Sequence, residues 1–130
     1  MNVGVIDAGI AIGWMSDRQR SIARIQALFD AGREGRLRLV ISAVNLAEVL
    51  IHTADLTRAT GVDPVALLRH QRVEVHRPDE AVARRVAKLP TSLADGFAAA
   101  TALELGGRLH TTDRDLAVQL KWSGLSVTQY

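Results

Sequence analysis

The sequence predicts an α/β fold with a mostly parallel sheet covered by helices on both faces. Short apolar runs alternate with helix-patterned segments along the chain, and the connections between them are short. No internal repeat, low-complexity stretch or linker breaks the pattern, and 130 residues suit one domain spanning 1–130.

Val3–Ile6 is a short apolar strand. Ser16-Asp17-Arg18-Gln19 has the spacing of a capping box, and Ile22, Ile25, Leu28 and Phe29 follow at helical spacing until Gly32 and Gly35. Leu37–Ile41 is the second strand, and Ser42 caps a helix running from Ala43 to about Leu56. Asp63-Pro64 places an N-cap acid before a proline at the first helical position. Val73–Val75 is the third strand, and Asp79 opens a helix that ends near Leu89-Pro90. Ser92 opens the next helix, which Gly106-Gly107 stops. Arg108–Thr111 is the fourth strand, Asp113–Trp122 a helix, and Leu125–Thr128 the last strand.

Composition narrows the class. Apolar residues make up 48 % and there are three prolines, so a folded globule is expected. The absence of cysteine excludes disulfides, a thiol nucleophile and thiolate metal sites, and suits a reducing cytoplasm. Met1-Asn2-Val3-Gly4-Val5-Ile6-Asp7 lacks a basic n-region and reads as a strand, not a signal peptide. No apolar run approaches the roughly 20 residues of a membrane span, so a cytoplasmic location with no membrane association is expected. Net charge is +2, and 14 of the 16 basic residues are Arg. Arg forks match phosphate oxygens, but a GC-rich codon bias gives the same excess, and composition alone leaves both open.

Ligand sites in such sheets lie beyond the carboxyl ends of the strands. Asp7 follows the first strand, Asp113 lies two residues past Thr111, and Glu48 sits two turns into the helix after the second strand. Asp95 stands in the first turn of its helix and joins them if that helix starts at the same edge. The segment Ala43 to Ala54 is apolar nearly all round, which predicts a largely buried helix with one stripe of Asn45, Glu48 and His52. No Lys or Arg stands one turn from Glu48 or Asp95. Taken singly, Asp7 reads as a turn residue, Asp95 as a first-turn acid and Asp113 as an N-cap. Taken together, four converging acids repel each other unless a cation joins them. Oxygen-only ligands point to Mg²⁺ or Mn²⁺, which can activate water against a phosphodiester.

These residues resemble the PIN domains, and within them the VapC-type toxins of toxin–antitoxin pairs. The resemblance spans the chain. It rests on Val5-Ile6-Asp7, Asn45-Leu46-Ala47-Glu48-Val49, Leu93-Ala94-Asp95-Gly96-Phe97-Ala98-Ala99-Ala100-Thr101-Ala102 and Leu109-His110-Thr111-Thr112-Asp113-Arg114-Asp115-Leu116. It implies a three-layer α/β/α sandwich, Mg²⁺- or Mn²⁺-dependent RNA cleavage, a homodimer, and a cognate antitoxin lying over the site. By the same resemblance Asp7, Glu48, Asp95 and Asp113 are catalytic and metal-holding acids, with Asp115 and Thr111 as auxiliaries. Asp115 also reads as a first-turn acid serving its own helix, and Thr111 as an ordinary strand threonine. Members of the family commonly carry Ser or Thr two residues after the first acid, where this chain has Gly9.

Asn45 and His52 could reach RNA or a metal-bound water from the Glu48 stripe, but the commoner meaning places them at the solvent-facing edge of their helix. Arg18, Arg20 and Arg24 share an early helix, as part of an RNA track or as a solvated face; Arg114 holds phosphate or balances charge. A receiver-type domain would pair acids after the first strand and place a lysine at a late strand end, but Lys121 sits inside a helix. A haloacid-dehalogenase-type phosphatase would carry Asp where Gly9 stands. The stronger rival is a catalytically inactive module that binds RNA or protein on the same fold.

Overall fold

The computed structural model describes residues 2–17 and 20–130. Its strands are β1 (Val3–Ile6), β2 (Arg38–Ser42), β3 (Glu74–His76), β4 (Arg108–Thr111) and β5 (Val127–Gln129). They form one sheet in the order β3-β2-β1-β4-β5, with every pairing parallel. The chain builds outward from β1 to β3, then crosses back to lay β4 on the other side of β1. The order therefore reverses between β1 and β4, and a crevice opens at their carboxyl ends.

Eight helices connect the strands among the described residues: α1 (Ala8–Ser16), α2 (Ile22–Arg33), α3 (Ala43–His52), α4 (Ala54–Thr60), α5 (Pro64–His70), α6 (Glu80–Val86), α7 (Leu93–Leu105) and α8 (Arg114–Gln119). Strand side chains alternate between faces, and two cores follow from that alternation. Ile6, Leu39 and Ile41 pack with Ile10, Ala11, Ile25, Phe29, Val49 and Leu68 on one face. Val5, Val40 and Leu109 pack with Ala98, Ala99, Ala102, Leu116 and Leu120 on the other. The result is the expected three-layer α/β/α sandwich, and its sheet is wholly parallel. Among the described residues no helix is long and apolar enough to cross a membrane.

Several boundaries differ from the sequence reading. Helix α1 was not anticipated, because Ala8-Gly9-Ile10-Ala11-Ile12-Gly13-Trp14-Met15 has no polar face to give a period. It is covered by the sheet and by α2, where Trp14 stacks on Phe29 with ring centroids 4.6 Å apart. Ser16 ends this helix instead of capping the next, and Asp17 takes a left-handed turn (φ 54°). Arg18 and Gln19, the rest of the expected capping box, lie outside the described residues. The N-cap of α2 is Ser21. The long helix from Ala43 breaks at Thr53, whose hydroxyl bonds back to the Val49 carbonyl at 2.7 Å. Nor is α3 largely buried: Leu50 and Ile51 are 40 % and 74 % exposed, and only Asn45 and Val49 are fully enclosed.

Gly106 and Gly107 turn α7 into β4. Gly106 takes the left-handed C-cap (φ 64°), and a Cβ on Gly107 would stand 2.7 Å from the Val3 carbonyl oxygen. The nearest atom is backbone of β1, which cannot rotate away as a side chain can. Gly107→Ala is expected to lower unfolding free energy by about 1–3 kcal/mol, read from urea unfolding. An unchanged midpoint would show that β1 and β4 do not need this close approach.

Candidate functional site

Asp7 has extended backbone (φ −85°, ψ 177°), which turns its carboxylate back over the start of α1. Oδ1 accepts from the Ile10 amide at 2.9 Å. Oδ2 accepts from the hydroxyl of Thr111, the last residue of β4. The Thr111 hydroxyl oxygen in turn accepts from the Asp113 amide at 2.9 Å. Asp113 caps α8, its Oδ1 accepting from the Asp115 and Leu116 amides at 2.9 and 3.1 Å. One hydrogen-bonded path thus links α1, β1, β4 and α8.

Glu48 projects from α3. Asn45, one turn earlier, donates from Nδ2 to Glu48 Oε1 and to the Ala94 carbonyl, both at 3.0 Å. That bridge joins α3 to the first turn of α7, where Asp95 stands. Asp95 Oδ2 accepts from the Ser92 hydroxyl at 2.9 Å. Asn45 is 1 % exposed, which corrects its expected place at the solvent edge. Its amide orientation is determined by two acceptors, and its Oδ1 is buried without a partner among the described residues.

Asp7, Glu48, Asp95 and Asp113 line one open cleft of about 240 Å³, together with Ala8, Gly9, Ile12, His52 and Thr112. The cleft lies at the carboxyl edge, where the strand order reverses. Two larger hollows, of about 430 and 380 Å³, hold none of the four acids. His52 is exposed, as expected. Asp115 is exposed on the first turn of α8 and outside the cleft lining. Arg24 reaches the Gln129 carbonyl at 3.3 Å and lies over the Tyr130 ring, and Arg20 precedes α2, so the two do not share a helix. Arg18 is outside the described residues.

Two contributors escaped the sequence reading. Ser92 was seen only as a helix opener, although its spacing of three to Asp95 is that of a capping box. Thr112 lay within a quoted motif without being singled out, and no sequence signal separates it from Thr111.

Burial pushes the Asp7 carboxyl up to about 6, and the negative charges of Asp95 and Asp113 push the same way; the Thr111 and Ile10 hydrogen bonds oppose them. Among the described residues none of the four acids enters an ion pair, and no Lys or Arg lines the cleft. An oxygen-only donor set with uncompensated charge fits a hard divalent cation in chemistry. The arrangement is open: among the described residues no three acidic or histidine side chains converge closely enough to enclose an ion. Asp113 faces its own helix amides and Asp95 faces Ser92, so closure needs side-chain rotation.

The raised Asp7 makes a stability prediction. An acid whose folded pKa exceeds its usual value favours folding fully below about pH 4 and loses that contribution as pH rises through about 6. His110 opposes it. Burial, aided by Arg108, lowers its imidazole to about 4, so its contribution is full above about 6.5 and lost as pH falls through 4. Metal-free Asp7→Asn is therefore expected to be more stable than wild type near pH 8, by about 2–3 kcal/mol. It should also lose stability more steeply than wild type between about pH 6.5 and 4. Thermal melts in EDTA from about pH 8 down to about 4 check both signs; a less stable variant at about pH 8 would show that the carboxylate is not strained.

The family model for the PIN domain matches residues 4–119. No curated protein matches the chain in sequence. Solved structures do match in fold. A toxin–antitoxin complex from Klebsiella pneumoniae aligns with a TM-score of 0.71 at 18 % identity, covering 98 % of each chain. DNA-bound VapBC from Salmonella typhimurium aligns with a TM-score of 0.72 at 19 % identity, covering 99 % of this chain and 98 % of the other. FitAcB from Neisseria gonorrhoeae gives 0.69 at 19 % identity, covering 97 % and 96 %. With the family model covering most of its length, including all four cleft acids, the chain belongs to the PIN domain family.

Proposed function

We propose that this chain is a metal-dependent endoribonuclease and the toxin of a VapBC-type toxin–antitoxin pair, with residues 1–130 as a single nuclease domain. The observation that carries the reading is the convergence of Asp7, Glu48, Asp95 and Asp113 on one cleft into which the described residues bring no Lys or Arg. Such a cluster repels itself, and repels a phosphodiester, until something positive enters. Solved structures titled as a toxin–antitoxin complex and as VapBC share the fold and add support.

Asp7, Glu48, Asp95 and Asp113 are the residues that would hold Mg²⁺ or Mn²⁺; when bound, the ion supplies an activated water and charge neutralisation at the leaving oxygen. The chain's part is placement. Thr111 and the Ile10 amide fix Asp7 at the crevice floor. Asn45 aims Glu48 and ties it to the backbone beside Asp95. In this reading Thr111 is a positioning residue. Asp115, outside the cleft, serves its own helix.

Two protein partners follow from the same reading, a second copy of the chain and a cognate antitoxin. Leu50, Ile51 and Leu93 are 40, 74 and 70 % exposed and lie within three residues of Glu48 or Asp95, giving apolar surface for such contacts beside the cleft. Light scattering at micromolar concentration is expected to report a dimer; a monomer would remove the homodimer from the proposal.

The test is cleavage of a labelled RNA panel by purified protein in Mg²⁺, Mn²⁺ or EDTA, beside Asp7→Ala and Asp95→Asn. Metal-dependent cutting is expected from wild type, with a loss of at least about 100-fold in both variants. Folded wild type that cuts nothing with any metal would favour the inactive binding module. Cutting that persists in the variants would show that these acids do not carry the reaction.

A further inference from the structure

We propose that the Thr112 hydroxyl holds a non-bridging oxygen of the RNA phosphate in the carboxylate cleft, and that Gly9 is the residue that admits it there. The inference rests on the nuclease reading above and adds a substrate contact to it.

Geometry comes first. A Cβ built on Gly9 would overlap Thr112 Oγ1, and the same built position lies 3.4 Å from Asp7 Oδ1. The hydroxyl therefore lies against the bare Cα of Gly9, in the first turn of α1, on the side of that turn facing Asp7. The backbone does not require glycine at this position, because Gly9 is not among the positive-φ residues. Glycine near a helix start is also costlier than alanine on conformational grounds. What glycine provides here is room for one side-chain oxygen.

Chemistry selects the target of that oxygen. Thr111 is fully engaged, donating to Asp7 and accepting from the Asp113 amide. Thr112 is half-buried at the cleft wall, and its hydroxyl enters no hydrogen bond among the described residues. The four acids, when ionised, only accept hydrogen bonds, and so does a phosphate diester. Of the described residues lining the cleft, only Thr112 and the exposed His52 bring a side-chain donor. Thr112 is the one of the two seated between the ends of β1 and β4. A donor so placed, among acceptors of the same sign as the substrate, orients an incoming phosphate oxygen.

The test uses Asp95→Asn as parent, so that RNA binds without being cut. The probe is a fluorescein-labelled single-stranded RNA that the wild type cleaves, followed by anisotropy in Mn²⁺ and in EDTA. Melting curves with and without Mn²⁺ run alongside. Thr112→Val is expected to weaken RNA binding about 5- to 10-fold. In melts of the same substitution with Asp95 retained, the melting temperature and its Mn²⁺-induced shift should stay at wild-type values, and Thr112→Ser should restore binding. Gly9→Ala should fold, since the clash is with a hydroxyl free to rotate, and should weaken binding as Thr112→Val does. The double variant should bind no worse than either single one, because both remove the same contact.

Parent-like RNA binding by Thr112→Val overturns the proposal and leaves the nuclease reading standing. A lost Mn²⁺ shift with unchanged RNA binding also overturns it, by assigning the hydroxyl to the metal. Additive losses from Gly9→Ala and Thr112→Val overturn the role given to Gly9. Wild type that neither binds nor cuts RNA removes the nuclease reading and this inference together.

Discussion

The carboxylate of Asp7 is 5 % exposed, and both its oxygens are committed, one to the first turn of α1 and the other to the Thr111 hydroxyl at the end of β4. Through those bonds a single side chain sets the direction in which the chain leaves β1 and the register at which β4 stands beside it. Thr111 extends the constraint to Asp113, and Asp113 fixes the start of α8. The ion-binding reading uses these same atoms. Moving Asp7 would shift a strand end, a helix start and the placement of a second acid at once, so stability and site geometry are properties of one hydrogen-bonded unit.

The parallel sheet explains why the four acids meet. With every strand running the same way, all carboxyl ends lie on one edge, and the reversal between β1 and β4 opens a gap there. Asp7 and Asp113 come from the two strands that flank the gap. Glu48 and Asp95 come from helices that begin at the same edge, α3 after β2 and α7 after its own loop. The helices are on opposite sides of the crevice wall, and Asn45 closes the distance by bonding to both Glu48 and the Ala94 carbonyl. A buried amide spent on this bridge, with its own oxygen left unpartnered, carries a desolvation cost that apolar packing would avoid.

What the sequence disclosed depended on contrast between neighbours. Glu48 was legible because a charge midway along an apolar helix has no local reason to be there, whereas Asp95 alone reads as a first-turn acid and was legible only in company with the other three. The helices bounded by Asp63-Pro64 and by Gly106 were legible because turn and cap residues carry their own conformational preferences. Helix α1 was illegible for the opposite reason: apolar on every side, it has no period, and only tertiary cover from the sheet and α2 makes it a helix. Asn45 was misplaced because a polar residue on a helix is ambiguous between solvent and a buried polar partner, and the Ala94 carbonyl 49 residues away in sequence decided it. Ser16 failed as a cap because a helix already occupied its N-terminal side. Strand ends shifted by one or two residues, as at Leu37–Ile41 against Arg38–Ser42, since apolar runs mark a strand's middle better than its ends.

Charge placement supplies the last step. Composition left the arginine excess open between phosphate-binding surface and codon bias; six of the fourteen arginines, Arg33, Arg36, Arg38, Arg58, Arg84 and Arg85, are each matched to a carboxylate. Those pairs are exposed or partly so, and such pairs contribute little apiece, about 1 kcal/mol or less. Asp30, Glu34, Asp55, Glu74, Glu80 and Glu104 thus have their cations, while the four acids of the cleft have none from the described residues. A chain with this many arginines has ample means to neutralise a buried carboxylate. Leaving Asp7 buried, pushed up to about 6 and facing two more acids sacrifices folding energy at that one spot. A buried acid held up in this way, for which the described residues supply no cation, accords with the proposal that the missing charge arrives from solution.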